Sequence, residues 1–163
     1  MRRDGAKAGD DIWVSGTLGD ARLALAHLRH ELTLPEGQFH QVLPRLQKPM
    51  PRVGLGIALR NIAHAALDLS DGLLGDLGHI LNASHAGAAI NTSQLPVSAI
   101  LQQQDEKWRL QCTIGGGDDY ELCFTAPVEK REQILEAARL SDTPVTRIGS
   151  IESQPGIRLY NAD

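Results

Sequence analysis

Cysteine is scarce: Cys112 and Cys123 are the only two in 163 residues. They form no CxxC pair and fit no zinc spacing, so a disulfide framework and a cysteine-built metal site are both excluded. Both read as reduced thiols, with Cys123 buried inside ELCFT. Aromatics make up 4% of the chain, and Trp13 and Trp108 are expected to be packing residues. No apolar run approaches the roughly 18 residues of a membrane span. The opening MRRDGAKAGDD lacks the apolar stretch of a signal peptide, so the cytosol is the default compartment. The formal net charge is -4 and no basic stripe occurs, which argues against nucleic acid as a partner. A GxxxxGK[ST] loop, a GxSxG elbow and a Ser-His-Asp set are all missing. Internal repeats, low-complexity segments and flexible linkers are missing too.

What is present is 42% hydrophobic and 22% charged, an ordinary composition for one soluble domain over residues 1–163. DIWVSG has strand propensity and runs into a glycine turn. The following segment places Leu18, Ala21, Leu25, Leu28 and Leu32 at helical spacing. His27 and His30 are expected on that helix as solvated side chains. After TLPEGQFH a second, shorter helix is expected to be limited by Pro44. VGLGIALRNIA reads as a helix weakened by glycines, and AHAALDL as a short buried strand. Leu73, Leu74, Leu77, Ile80 and Leu81 then form one helical face. AGAAINTSQLPVS predicts a strand and a loop, and residues 97–104 a short helix. TIGGGDDYELCFTAP predicts a glycine-rich turn and a strand. VEKREQILEAARL is amphipathic, with Ile134, Leu135 and Ala138 facing inward. TPVTRIGSI and GIRLYN are short strands, the second opening after the turn SQPG. Crossovers and a hairpin together predict an α+β domain, a mixed β-sheet covered by helices.

Two stretches concentrate acids. In ALDLSDGLLGDL, Asp68 falls at the carboxyl end of a strand, and Ser70 and Asp71 at the start of the next helix. Capping explains one of the latter two but neither both nor Asp68. A carboxylate at a strand end beside a helix N-terminus suits a magnesium-bound phosphate. Asp76, one turn further on, reads as a solvated helix residue, and Asp20 as a cap or first-turn acid. In GGGDDYEL, three glycines permit close approach to a ligand. Adjacent Asp118 and Asp119 repel unless solvated or paired with a cation. A solvated turn is the competing reading of both acids. Glu121 can face either way.

Together, RRDGAKAGDDIWVSGTLGDARLAL, IAHAALDLSDGLLGDLGHI and TIGGGDDYELCFT resemble the thiamine-monophosphate kinases. The match is to their carboxyl-terminal domain, of the AIR-synthase-related type, and it covers nearly the whole chain. The resemblance implies an intact enzyme that transfers the γ-phosphoryl of ATP to thiamine monophosphate with Mg²⁺ ions. It implies Asp68 and Asp71 as magnesium ligands, Ser70 and Arg3 as ATP contacts, and Asp118 and Asp119 as substrate contacts. Asp118 stands where the family pattern has a glutamate, one methylene longer. No residue is assigned as catalytic base, because a substrate phosphate oxygen is the nucleophile. The resemblance also implies an amino-terminal domain, which carries most of the magnesium ligands and builds a homodimer and is absent from these 163 residues. RRDGAKAGDDIWVSG reads as a linker entering a strand, so a fragment, inactive alone, is the expectation. The alternatives are another ATP-dependent member of the AIR synthetase and selenophosphate synthase superfamily, or a non-catalytic nucleotide- or metabolite-binding module.

Overall fold

In the computed structural model, which describes residues 1–161, alternation along the strands decides what each sheet face buries. The strands are β1 (Asp11–Ser15), β2 (Ala65–Asp68), β3 (Gly87–Asn91), β4 (Leu122–Ala126), β5 (Val145–Glu152) and β6 (Gly156–Tyr160). They form a single sheet in the order β2-β4-β1-β5-β3-β6. Neighbours run antiparallel except β3 and β6, which are parallel. The sheet is therefore mixed, as the residue pattern predicts. The SQPG turn closes no hairpin, because β3 lies between β5 and β6. The strand predicted as buried, β2, is an edge strand with Asp68 exposed at its end.

The helices are α1 (Asp20–Leu28), α2 (Glu36–Gln47), α3 (Val53–Ala58), α4 (Leu73–Ser84), α5 (Ala99–Gln102), α6 (Glu106–Gly115) and α7 (Arg131–Leu140). Ile12, Val14, Leu67 and Cys123 point to one side of the sheet and pack with Leu73, Leu77 and Ile80 of α4. Trp13, Phe124 and Ala126 point to the other and pack with Leu55 of α3 and Ile134 and Ala137 of α7. This is the two-residue period of a strand covered on both faces. Trp13 and Phe124 stack with ring centroids 6.3 Å apart. A third cluster joins α1, α2, α5 and α6 around Leu23, Val42, Leu101 and Cys112.

Several local expectations are corrected. Helix α1 ends at Leu28, and its buried face is Ala21, Leu23, Ala24 and Ala26, leaving Leu28 exposed. His30 lies beyond that end with φ 58°. His27 is half-buried: its ring stacks on Phe39 and its Nδ1 accepts the Leu34 N–H. Helix α2 runs through Pro44 to Gln47. Pro44 and His40 both lie on its exposed side, so water can take the carbonyl that proline leaves without a donor. Helix α6 was not foreseen; Asp105 caps it by accepting the Trp108 N–H at 2.9 Å. The amino-terminal stretch is docked rather than linker-like. Arg2 bridges Ala65, Ala6 is buried, and the Ala6 N–H donates to Ser84 Oγ.

Helix α7 provides a direct check. Ile134 is fully buried, whereas Leu135, expected to face inward, is 54% exposed. Ile134→Ala should lower unfolding free energy by about 2–5 kcal/mol, and Leu135→Ala should change it by no more than about 0.5 kcal/mol. Urea denaturation of the two variants measures both; equal losses would contradict this helix orientation.

Candidate functional site

The antiparallel pairing of β2 with β4 sets Asp68 opposite Leu122. The loop leaving β2 and the loop entering β4 therefore share one end of the sheet. Three backbone hydrogen bonds join them: Leu69 N–H to Glu121 O at 2.8 Å, Tyr120 N–H to Leu69 O at 2.8 Å, and Asp118 N–H to Ser70 O at 2.9 Å. A Cβ at Gly117 would sit 2.5 Å from Ser70 O, so glycine is required for this approach. Asp118 and Tyr120 both hold positive φ, 68° and 50°, an uncommon conformation for residues with a Cβ.

Burial sorts the acids. Asp68 and Asp71 are exposed, and Ser70 and Asp118 are half-buried. Neither Ser70 nor Asp71 caps α4; the N-cap is Gly72, at φ 106°. Asp76, expected to be solvated, is instead buried, and its Oδ2 accepts the N–H of Ser70 at 2.8 Å and of Asp71 at 2.9 Å. Those two amides are thus already taken and do not form a cradle for phosphate. What remains accessible in this loop is the side chains of Asp68, Ser70 and Asp71.

Asp119 is 3% exposed, and both of its oxygens accept the Gly19 N–H, at 3.0 and 2.8 Å. Burial pushes its pKa up to about 7; the Gly19 bond and Arg45 oppose this, while Asp20 and Glu121 add to it. Asp20 is also buried and accepts the Ser98 hydroxyl at 2.6 Å. Burial raises its pKa, against the pull of Ser98 and Arg45. The two cysteines are shielded likewise, their thiols raised by burial to about 11 for Cys112 and about 12 for Cys123.

Sequence reasoning missed Ser15, Arg45 and Arg52 and left Glu121 undecided. Glu121 is completely buried and receives the other three side chains. The available signal is an acid set immediately before the buried run of β4; its partners come from elsewhere in the chain. Beside it lies an open cavity of about 720 Å³, whose lining includes Arg52, Val53, Ile57, Asp68, Tyr120 and Leu122. Arg3 is exposed, is not among the residues lining this cavity, and has its carbonyl bonded by the Ser84 hydroxyl.

Exposed carboxylates are hard oxygen donors of the kind magnesium takes, and that ion usually needs only one or two of them beside water and phosphate oxygens. Asp68 and Asp71 fit that role. Among the described residues, no group of three or more His, Cys, Asp or Glu side chains is gathered for a metal. No helix among them is long and apolar enough to cross a membrane.

Residues 7–161 match the family model of the AIR synthase related protein, C-terminal domain. Thiamine-monophosphate kinase of Salmonella typhimurium is 43% identical over 155 residues, covering 94% of this chain and 48% of that protein. The crystal structure of thiamine-monophosphate kinase from Stenotrophomonas maltophilia K279a superposes with a TM-score of 0.91 at 44% identity, covering 98% of this chain and 52% of that one. AaThiL complexed with AMPPCP and TMP superposes with a TM-score of 0.82 at 31% identity, covering 99% and 51%. The chain spans about half the length of the curated relatives it matches.

Two outcomes follow for the buried acids. In an unfolded chain an aspartate titrates near pH 4, whereas folded Asp119 titrates at about 7. Between those values the folded state binds more protons, so its contribution to stability falls as pH rises and levels off above the folded pKa. Asp119→Asn should therefore lose less stability than wild type between pH 5 and pH 8 in chemical denaturation; parallel losses would refute the shift. Asp76→Ala removes the acceptor for two amides and should cost about 1–3 kcal/mol, read in the same assay.

Proposed function

Because the chain belongs to the AIR synthase related protein, C-terminal domain family, we propose that it is the carboxyl-terminal half of a thiamine-monophosphate kinase. The observation that carries the reading is the backbone zipper between the loop of Asp68, Ser70 and Asp71 and the loop of Asp118. Both of the chain's candidate ligand-binding stretches meet at one sheet end. The neighbouring complex with AMPPCP and TMP supports ATP and thiamine monophosphate as substrates. Relatives above 40% identity favour this kinase over another ATP-dependent member of the superfamily. Residues 1–163 act as one domain, and the half of the relatives' length outside this match supplies the remaining ligands and the homodimer contacts.

The reaction forms a bond from a phosphate oxygen of thiamine monophosphate to the γ-phosphorus of ATP, and ADP leaves. Such transfer depends on positioning and charge neutralisation rather than a covalent protein intermediate. Magnesium, when bound, neutralises charge on the phosphate oxygens. Asp68 would hold one such ion and Asp71 another, and Ser70 would hydrogen-bond the nucleotide. Asp118, at the surface of its loop, contacts the substrate, with one methylene less reach than glutamate. Asp119 acts through Gly19: it fixes the loop and remains out of the ligand's reach. Arg3 approaches ATP only if its exposed side chain reaches across from the amino-terminal segment.

In the intact enzyme, Asp68→Asn and Asp71→Asn should each lower kcat about 10²-fold or more and raise the Mg²⁺ concentration needed for half-maximal rate. If both variants keep the wild-type kcat and Mg²⁺ dependence, the ligand assignment is wrong. The 163-residue chain alone should form no measurable thiamine diphosphate; robust turnover by it would overturn the half-site reading.

A further inference from the structure

The chemistry above leaves one cluster without a role: the fully buried Glu121 and the two part-buried arginines that hold it. Glu121 Oε1 accepts Arg45 Nη2 at 2.7 Å and Arg52 Nη2 at 2.6 Å; Oε2 accepts Arg52 Nε at 2.8 Å and the Ser15 hydroxyl at 2.5 Å. Burial pushes the Glu121 pKa up, but Arg52, Ser15 and Arg45 outweigh it and leave the group below its ordinary value. Its three partners come from three places: the end of β1, helix α2, and the connector entering α3. Arg52 grips it with two parallel bonds, a geometry that fixes orientation as well as distance.

The same residue touches both candidate loops. Its carbonyl accepts the Leu69 N–H, which registers the loop of Asp68, Ser70 and Asp71. Immediately before it stand Asp118 and Tyr120 in left-handed backbone conformations. Such conformations persist where the surroundings over-determine them. Arg45 also donates to Thr17 O at 3.1 Å, two residues before the Gly19 amide that binds Asp119. The ring of contacts Glu121–Arg45–Thr17–Gly19–Asp119 therefore closes on the loop from both ends. The fit is tight: Gly16 has φ 58°, and a Cβ there would lie 2.2 Å from Glu121 Oε1. A buried ion pair is weak evidence for stability by itself, because desolvation offsets most of the attraction. Fixing a unique geometry is the better account of this one.

We propose that Glu121, clamped by Arg45 and Arg52, is the positioning residue of the site, holding the Asp118 loop in register with the loop of Asp68, Ser70 and Asp71. Arg52 also lines the cavity shared with Asp68 and Tyr120, so the clamp extends to the wall of that cavity. The catalytic part of this inference rests on the kinase reading; the loop-holding part stands without it.

The test uses two readouts. In the 163-residue chain, amide hydrogen exchange is followed at Leu69, Asp118 and Tyr120 in wild type, Glu121→Gln, Arg52→Lys and Arg52→Met. Arg52→Met and Glu121→Gln should speed exchange at these three amides at least about 10-fold relative to core amides such as Ile12. Arg52→Lys should fall between them and wild type. Unchanged or uniformly faster exchange overturns the proposal. In the intact enzyme, at a temperature where every variant is folded, Arg52→Met and Glu121→Gln should lower kcat about 10–100-fold. KM for ATP should change far less, and Arg52→Lys should recover part of the loss. A lowered Tm with wild-type kcat would mean that the cluster supports only the fold. Should Glu121→Gln fail to fold, the two Arg52 variants decide alone. Asp68→Asn, measured in parallel, separates the two ideas: a wild-type kcat there removes the kinase reading, while loss there with none at Arg52 removes only the positioning role.

Discussion

The pairing of β2 with β4 is the constraint on which the site depends. It is antiparallel, and its register places Asp68 against Leu122. The end of one strand and the beginning of the other must then lie together, and stretches some fifty residues apart in sequence become adjacent loops. Three main-chain hydrogen bonds carry the pairing past the last ladder residues into those loops. Helix α4 is then launched from the same point, over the face that buries Leu67 and Cys123.

Around this junction the acids divide by depth. Asp76, Asp119 and Glu121 are buried and each accepts hydrogen bonds from a different part of the chain: the loop amides, the amide preceding α1, and two arginines with a serine. A carboxylate out of water has to be satisfied this way. Asp68, Asp71 and Asp118 remain in contact with solvent. Inner carboxylates shape the backbone and outer ones stay available to a ligand. Asp119 shows that adjacent residues can fall on opposite sides of this division, since Asp118 beside it is only half-buried.

Much of the fold was legible because it rests on local periodicity. The helical face of Leu73, Leu77 and Ile80 and the strand of Cys123 and Phe124 were both expected and are both present. The misses have tertiary causes. Helix α2 continues through Pro44 because its solvent side tolerates a lost bond. Leu135 and Leu28 fit a helical stripe but lie just off the packed face. The SQPG turn resembles a hairpin turn, yet β3 inserts between its two strands and takes the hydrogen bonds of each. Asp76 read as a surface residue because its partners, the amides of Ser70 and Asp71, are backbone groups invisible to any side-chain pattern.

By itself, then, the sequence determined the chemical inventory: a mixed apolar and charged composition, most of the strands and helices in order, and two acid-bearing stretches beside glycines. It did so because composition and periodicity are properties of neighbouring residues. Tertiary structure decided which acids are free and which are bound, and that Arg45 and Arg52 converge on Glu121 from separate elements. Burial and long-range pairing depend on where distant segments meet, and that is settled only when the sheet order and register are in place.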